Sequence, residues 1–173
     1  MTIIVTGAAG FIGYSVSMAL LDRGEQVIGI DNINDYYDPA LKRARLDRLK
    51  AAHGNAFTFE QVDFGDQEAL EAFAKPHRFD RIVHLGAQAG VRYSLINPQA
   101  YVRSNLMGHI NMLELARHRE VGHFVYASSS SVYGGNETLP FRVEGRVDHP
   151  VSLYAACKKA DEVMSESYAH VFR

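Results

Sequence analysis

Short apolar runs alternate with helical patterns from the first residue onward. Thr2-Ile3-Ile4-Val5-Thr6 is a β-branched run that stops at Gly7 and reads as a buried strand. Phe11 to Arg23 follows with helical spacing and ends at Gly24, which suits a C′ glycine. Gln26 to Asp31 repeats the buried-strand pattern. Pro39 to His53 is a charged helix whose Lys42, Arg43, Arg45, Arg48 and Lys50 read as a solvated face. A third strand is predicted over Ala56 to Asp63, a helix over Gln67 to Lys75, and a fourth strand over Arg81 to Leu85. One long helix is predicted from Asn97 to Arg119, then a fifth strand from His123 to Ser128. Val132 to Ser152, with Gly134-Gly135, Pro140 and Pro150, reads as mostly loop, and Leu153 to the end as helix.

Strands alternating with helices imply right-handed crossovers and a parallel sheet covered on both faces. The expectation is an α/β, doubly wound parallel sheet of order 3-2-1-4-5, with its ligand crevice between the first and fourth strands, where the order reverses.

Composition narrows the function classes. The chain has 173 residues, 47% of them hydrophobic, and 18 Lys+Arg against 20 Asp+Glu, giving a formal net charge of −2. That is one ordinary domain with no basic excess, so nucleic acid and anionic membrane are not expected partners. No apolar run approaches the ~20 residues that span a bilayer, and the first residues do not read as a signal peptide. The single cysteine, Cys157, excludes an internal disulfide and agrees with a reducing cytoplasm. The eight histidines show no metal-ligand spacing, and His84 at a strand end reads as a packed residue.

Thr6-Gly7-Ala8-Ala9-Gly10-Phe11-Ile12-Gly13 places glycines at GxxGxxG spacing directly after a strand and at the opening of a helix. A dinucleotide pyrophosphate needs that placement. Gly7 permits the tight turn, Gly10 lets backbone amides approach phosphate, and Gly13 lets the helix lie close to the sheet. Asp31 ends the second strand, where a carboxylate accepts from the adenosine ribose hydroxyls and repels a 2′-phosphate. The expected cofactor is therefore NAD rather than NADP, on a Rossmann-type domain. The bland alternative is a tight turn without a ligand.

This spacing resembles the extended branch of the short-chain dehydrogenase/reductase superfamily, the NAD-dependent epimerases and dehydratases, and the resemblance runs over the whole chain. It implies that Asn32 joins Asp31 on the cofactor and that Asp63-Phe64 flanks the adenine. It also implies that Leu85-Gly86-Ala87-Gln88 passes beneath the cofactor, with Gly86 standing where alanine is usual. Asn105 resembles the asparagine that props the active site; an ordinary polar residue on a helix is the alternative for it and for Asn111.

Tyr154-Ala155-Ala156-Cys157-Lys158 sets Tyr154 and Lys158 at i and i+4, on one helix face. A free tyrosine, with pKa about 10, is a poor base at neutral pH. A neighbouring ammonium favours the phenolate and makes Tyr154 a general acid/base for a hydroxyl, with Lys158 also on the nicotinamide ribose by resemblance. Cys157 reads as a small helix residue, with thiol reactivity as the alternative. In the run Ser128-Ser129-Ser130-Ser131-Val132-Tyr133-Gly134, the family pattern puts Ser129 on the reacting hydroxyl and Ser130 beside the substrate. Serines that merely satisfy backbone groups at the strand end are the alternative for at least two of the four.

Family dehydratases and UDP-glucuronate decarboxylases carry a glutamate just before Val-Tyr-Gly, and Ser131 is a poor base for elimination. Reversible oxidation at C4 with hydride return to the opposite face, epimerisation, is what remains. The stretches Asp31 to Asp38, Ala87 to Ser94 and Asp148 to Tyr154 resemble UDP-glucuronate 4-epimerases more than UDP-glucose 4-epimerases. Arg92 either attracts a uronate carboxylate or forms a salt bridge. The expectation is a UDP-sugar 4-epimerase acting through Ser129, Tyr154 and Lys158. The resemblance also implies a homodimer through the helices at Asn97–Arg119 and Leu153–Arg173. Rival readings are a UDP-glucose 4-epimerase and a non-catalytic NAD-binding module. Because family members run to about twice this length, residues 1–173 are expected to be a truncated NAD-binding domain, without its substrate lobe and without turnover.

Overall fold

A computed structural model describes residues 1–172. Five parallel strands form one sheet in the order β3-β2-β1-β4-β5. They are β1 (Thr2–Thr6), β2 (Gln26–Asp31), β3 (Phe57–Gln61), β4 (Arg81–His84) and β5 (His123–Tyr126). The predicted class and strand order hold. Successive side chains of β1 point to opposite faces, and each face carries its own core. Ile4 joins Ile28, Ile30, Leu70, Phe73, Ile82 and Met112 on one side. Ile3 and Val5 join Leu21, Val27, Leu49 and Phe57 on the other. A strand buried on both faces has no polar positions to spare, which is why β1 reads as an unbroken apolar run.

On the second of these faces lie α1 (Phe11–Asp22) and α2 (Pro39–His53); on the first lie α3 (Gln67–Ala74) and α5 (Gly108–His118). Gly24, at φ +82°, ends α1 by donating to Leu21 O at 2.9 Å, as its position predicts. Asp38 and Asp66 cap α2 and α3 by accepting backbone N–H bonds.

The largest departure from the sequence pattern lies in the predicted helix Asn97–Arg119. Asn97 caps α4 (Pro98–Tyr101), which passes through a π-helical segment, Val102–Met107, before α5 begins. The strand ends also move. Ala56 belongs to a 3-10 turn, and the Asp63 carboxylate turns the chain by accepting from Gly65 N, so β3 is shorter than Ala56–Asp63. β5 stops at Tyr126 because its ladder partner β4 stops at His84. After a 3-10 turn at Ser130–Tyr133 and a largely exposed loop, α6 covers Leu153–Val171. The final predicted helical residue, Arg173, lies outside the described residues. Among the described residues no helix is long and apolar enough to cross a membrane.

Candidate active site

The C-terminal ends of β1 and β4 meet at the crevice. Gly7 has φ +67°, and a Cβ there would lie 2.9 Å from Gly86 Cα, so the loops after β1 and β4 touch backbone to backbone. A Cβ on Gly13 would run into the Gly7 carbonyl oxygen, which explains the close seat of α1 on the turn. Gly10 begins α1 in extended conformation with no side-chain cap, and Phe11 and Ile12 stand exposed in the first turn. The first amides of a 12-residue helix are thereby left open to an anion.

Thr6 ties the two strands together. Its Oγ accepts from Leu85 N (3.0 Å) and Gly86 N (2.8 Å), and with its acceptor sites filled it donates to His84 Nδ1 at 2.8 Å. That places the His84 ring proton on Nε2. Burial, then His109 and Lys158, hold the His84 imidazole well below its ordinary pKa, so it is neutral. His84 is a packed residue, as its strand position predicts.

Asp31 is buried at the end of β2. Its Oδ1 accepts from Ile33 N at 2.8 Å, and Asn32 accepts from Asn34 N at 3.1 Å. Lys42 overturns the reading of α2 as a solvated face. It is only 4% exposed, and its ammonium reaches Asp31 Oδ1 at 3.4 Å and Asn34 Oδ1 at 2.9 Å. Arg45, one turn on, donates to Ala9 O and Tyr37 Oη, both at 3.2 Å. The ammonium and guanidinium therefore brace the glycine turn and the acidic strand end. A cavity of about 140 Å³ opens there, lined by Gly7, Asp31, Asn32, Lys42, Phe64 and Gln88 among others.

The loop beneath this cavity is clamped from the helix side. Asn105, buried in the π-helical segment, accepts from Gln88 N at 2.8 Å and donates to Gln88 O at 3.1 Å. Asn111 donates to Phe64 O at 3.0 Å. Neither is an ordinary helix-surface residue; each holds a crevice segment by its backbone. Asp63 pairs with Arg103 at 3.0 Å. A Cβ on Gly86 would lie 2.5 Å from Phe64 Cε1, and one on Gly108 2.5 Å from Phe64 Cδ2. The Phe64 ring thus occupies a slot made by two glycines, the physical reason for glycine at 86. Ala87, exposed, follows on the same loop.

The second half of the site sits past β5. Ser129 Oγ accepts from Ser131 N at 3.2 Å and caps the 3-10 turn, Ser128 donates to Glu162 at 2.6 Å, and Ser130 is exposed. Tyr154, in the first turn of α6, is half-buried and meets the Tyr101 ring edge-on, centroids 6.1 Å apart. Lys158 is buried and bonds Asp161 Oδ2 at 3.2 Å. Cys157 is buried, and its thiol pKa is pushed up chiefly by burial, which favours the packing reading over reactivity. Arg92 is exposed and forms no ion pair among the described residues, so the salt-bridge reading of it is not met.

Three residues here were not legible as site residues: Lys42, Arg45 and Asp161. For the first two a signal existed, since Lys42, Arg45 and Leu49 share one α2 face and Leu49 is an obvious core residue. For Asp161 the spacing Tyr154, Lys158, Asp161 (i, i+4, i+7) was available. The donor set fits a dinucleotide: three glycines where a Cβ would intrude on backbone, an open helix N-terminus and a buried carboxylate at the strand end.

The family described as GDP-mannose 4,6 dehydratase matches residues 4–173. UDP-glucuronate 4-epimerase 4 of Arabidopsis thaliana is 49% identical over 99% of this chain and 39% of that protein. The crystal structure of UDP-glucuronic acid 4-epimerase from Bacillus cereus, in complex with UDP-glucuronic acid and NAD, is 32% identical. It superposes with a TM-score of 0.88, over 99% of this chain and 53% of that one. A UDP-glucose 4-epimerase from Thermotoga maritima with UDP-glucose is 31% identical with a TM-score of 0.85, over 99% and 52%. The chain spans about half the length of the curated relatives it matches.

Proposed function

The chain belongs to the GDP-mannose 4,6 dehydratase family of NAD-dependent epimerases and dehydratases, and on that premise we propose that it is the NAD-binding part of a UDP-sugar 4-epimerase. The observation that carries this reading is that the glycine cradle of β1–α1 and the β5–α6 segment bearing Ser129, Tyr154 and Lys158 both follow the C-terminal ends of parallel strands of one sheet. Bound NAD supplies the acceptor and donor of the C4 hydride. Gly7, Gly10 and Gly13 admit the pyrophosphate to the α1 amides, and Asp31 receives the adenosine ribose. Ser129 orients the sugar 4-hydroxyl, and Tyr154 removes its proton and later returns it. Lys158 holds the nicotinamide ribose and supplies positive charge behind the phenol. Ser131 offers no carboxylate, so the elimination named in the family description lacks its base.

UDP-glucuronate is the proposed substrate, with Arg92, exposed and without an ion pair among the described residues, as the group for its carboxylate. The 4-keto form of that sugar is a β-keto acid, so the site has to hold the carboxylate against decarboxylation. Product analysis of the full-length protein with UDP-glucuronate and UDP-glucose tests this. Conversion of UDP-glucose alone assigns the rival epimerase, and no conversion of either overturns the reading. The 173-residue chain by itself is proposed not to turn over, because its relatives are about twice as long and UDP contacts from that further length would position the sugar. The exposed apolar residues Val102, Met107 and Val163 lie on the helix pair proposed to form a homodimer. Sedimentation at tens of micromolar checks this, and a monomer refutes it.

A further inference from the structure

The inward face of α6 carries more than the tyrosine and lysine. Tyr154, Lys158, Asp161 and Ser165 fall at i, i+4, i+7 and i+11, one continuous stripe. Asp161 is 1% exposed, and a carboxylate in a helix interior at that depth is costly unless it is paired. Among the described residues its carboxylate has one hydrogen-bond partner, the Lys158 ammonium at 3.2 Å through Oδ2, while Oδ1 is buried without any. From α5, His109 packs into the same layer, donating or accepting at Ser165 through Nε2 at 2.8 Å, with its Nδ1 also unpartnered. From β4 comes His84, whose ring lies 5.5 Å from that of His109. The lysine therefore stands in a buried polar layer in which, among the described residues, Asp161 is its one ion-pair partner.

We propose that Asp161 is a positioning residue for Lys158: its carboxylate anchors the ammonium one turn behind Tyr154 and so sets how well the chain holds the nicotinamide end of its cofactor. The proposal rests on the reading that Lys158 engages the nicotinamide ribose. An ammonium has three N–H donors, and Asp161 takes one, which directs the others along the stripe. Without the carboxylate, the buried ammonium has neither a fixed direction nor a counter-ion.

The groups facing Asp161 give the proposal a distinct signature. On its own helix these are Lys158, Glu162 and Cys157, and from α5 His109; His84 of β4 bears on the pair through Lys158 and His109. Burial raises the Asp161 carboxyl to about 6, against the opposing pull of Lys158. Burial and Lys158 hold His109 down at about 4, and His84 also lies well below its usual value. Between pH 5 and 7.5 Asp161 changes charge, while the two imidazoles stay neutral. A cofactor that fixes the ammonium strengthens the pair and favours the ionised carboxyl. Affinity is then full above about pH 6 and lost as pH falls through that value.

The test is calorimetric titration of NAD into the chain from pH 5 to 7.5, for wild type, Asp161→Asn and Asp161→Glu. Wild-type affinity is expected to fall about threefold to tenfold from pH 7.5 to 5. Asp161→Asn is expected to bind about tenfold more weakly at pH 7.5 and to vary less than about twofold across the range. Asp161→Glu, which keeps the charge, retains the slope. A slope in Asp161→Asn equal to that of wild type overturns the proposal. So does a flat wild-type profile, which needs no variant to fold. The measurement reads cofactor affinity alone. Loss of the epimerase assignment in the product assay therefore leaves it standing, and its own failure leaves that assignment intact.

Discussion

The two halves of the crevice are built by different means. The cradle at β1, β2 and β4 is set by backbone sterics and by buried charge. Gly7, Gly13 and Gly86 sit where a Cβ would strike neighbouring atoms, and Asp31 is held by Lys42 and by Ile33 N. Its cavity is small, about 140 Å³. The Ser129–Tyr154 corner lies against β5, an edge strand whose Val125 is 42% exposed. Val143 and Val151, in the loop between them, are 93% and 74% exposed. The lesson is that the glycine-and-carboxylate half is enclosed by packing within these residues, whereas the Ser129–Tyr154 half borders an exposed strand and loop.

Separating the two halves most widely is Tyr154→Phe. In the full-length protein it should reduce epimerisation by about 10²–10⁴-fold, the usual contribution of an acid/base group. NAD affinity of the 173-residue chain should stay within about twofold, since the phenol belongs to the chemical end. Epimerase activity above about a tenth of wild type, read by a coupled assay, would break the division.

A smaller effect is expected on cofactor choice. Titration of NAD and NADP should show NAD bound at least about tenfold more tightly, because the Asp31 carboxylate repels a 2′-phosphate across a buried site. Lys42 sharpens the comparison, since its ammonium already neutralises part of that carboxylate. Asp31→Asn should bring the two affinities together by leaving Lys42 free to meet the phosphate. Equal affinities in the wild-type chain would remove the role given to Asp31.

The smallest effect concerns packing in the cradle. Gly86→Ala should destabilise the chain by about 1–3 kcal/mol, as overpacking does, because the Phe64 ring fills the space a Cβ needs. Phe64→Leu in the same chain should recover at least half of that loss, a coupling that denaturant titration of the four species measures. Additive losses would show that Phe64 and Gly86 are not one packing unit.

What the amino-acid sequence determined by itself is the fold and the cradle. Apolar runs of strand length, separated by helical patterns, dictate a parallel sheet, and GxxGxxG after the first run dictates the tight turn that opens α1. These features are local: each depends on residues within one strand–turn–helix unit, so spacing alone carries them. The placement of Ser129, Tyr154 and Lys158 on the crevice edge follows from chain order once the strand order is known. The state of buried charges, by contrast, depends on residues brought from elsewhere. Lys42 and Asp161 look like surface residues in a helical pattern; packing of α2 on the sheet and of α5 on α6 buries them, and ion pairs with Asp31 and with Lys158 make that burial tolerable. The π-helical turn that aims Asn105 at Gln88 was hidden for the same reason. A helix gives up its regular ladder where a tertiary partner compensates, and that partner lies 17 residues away in the chain.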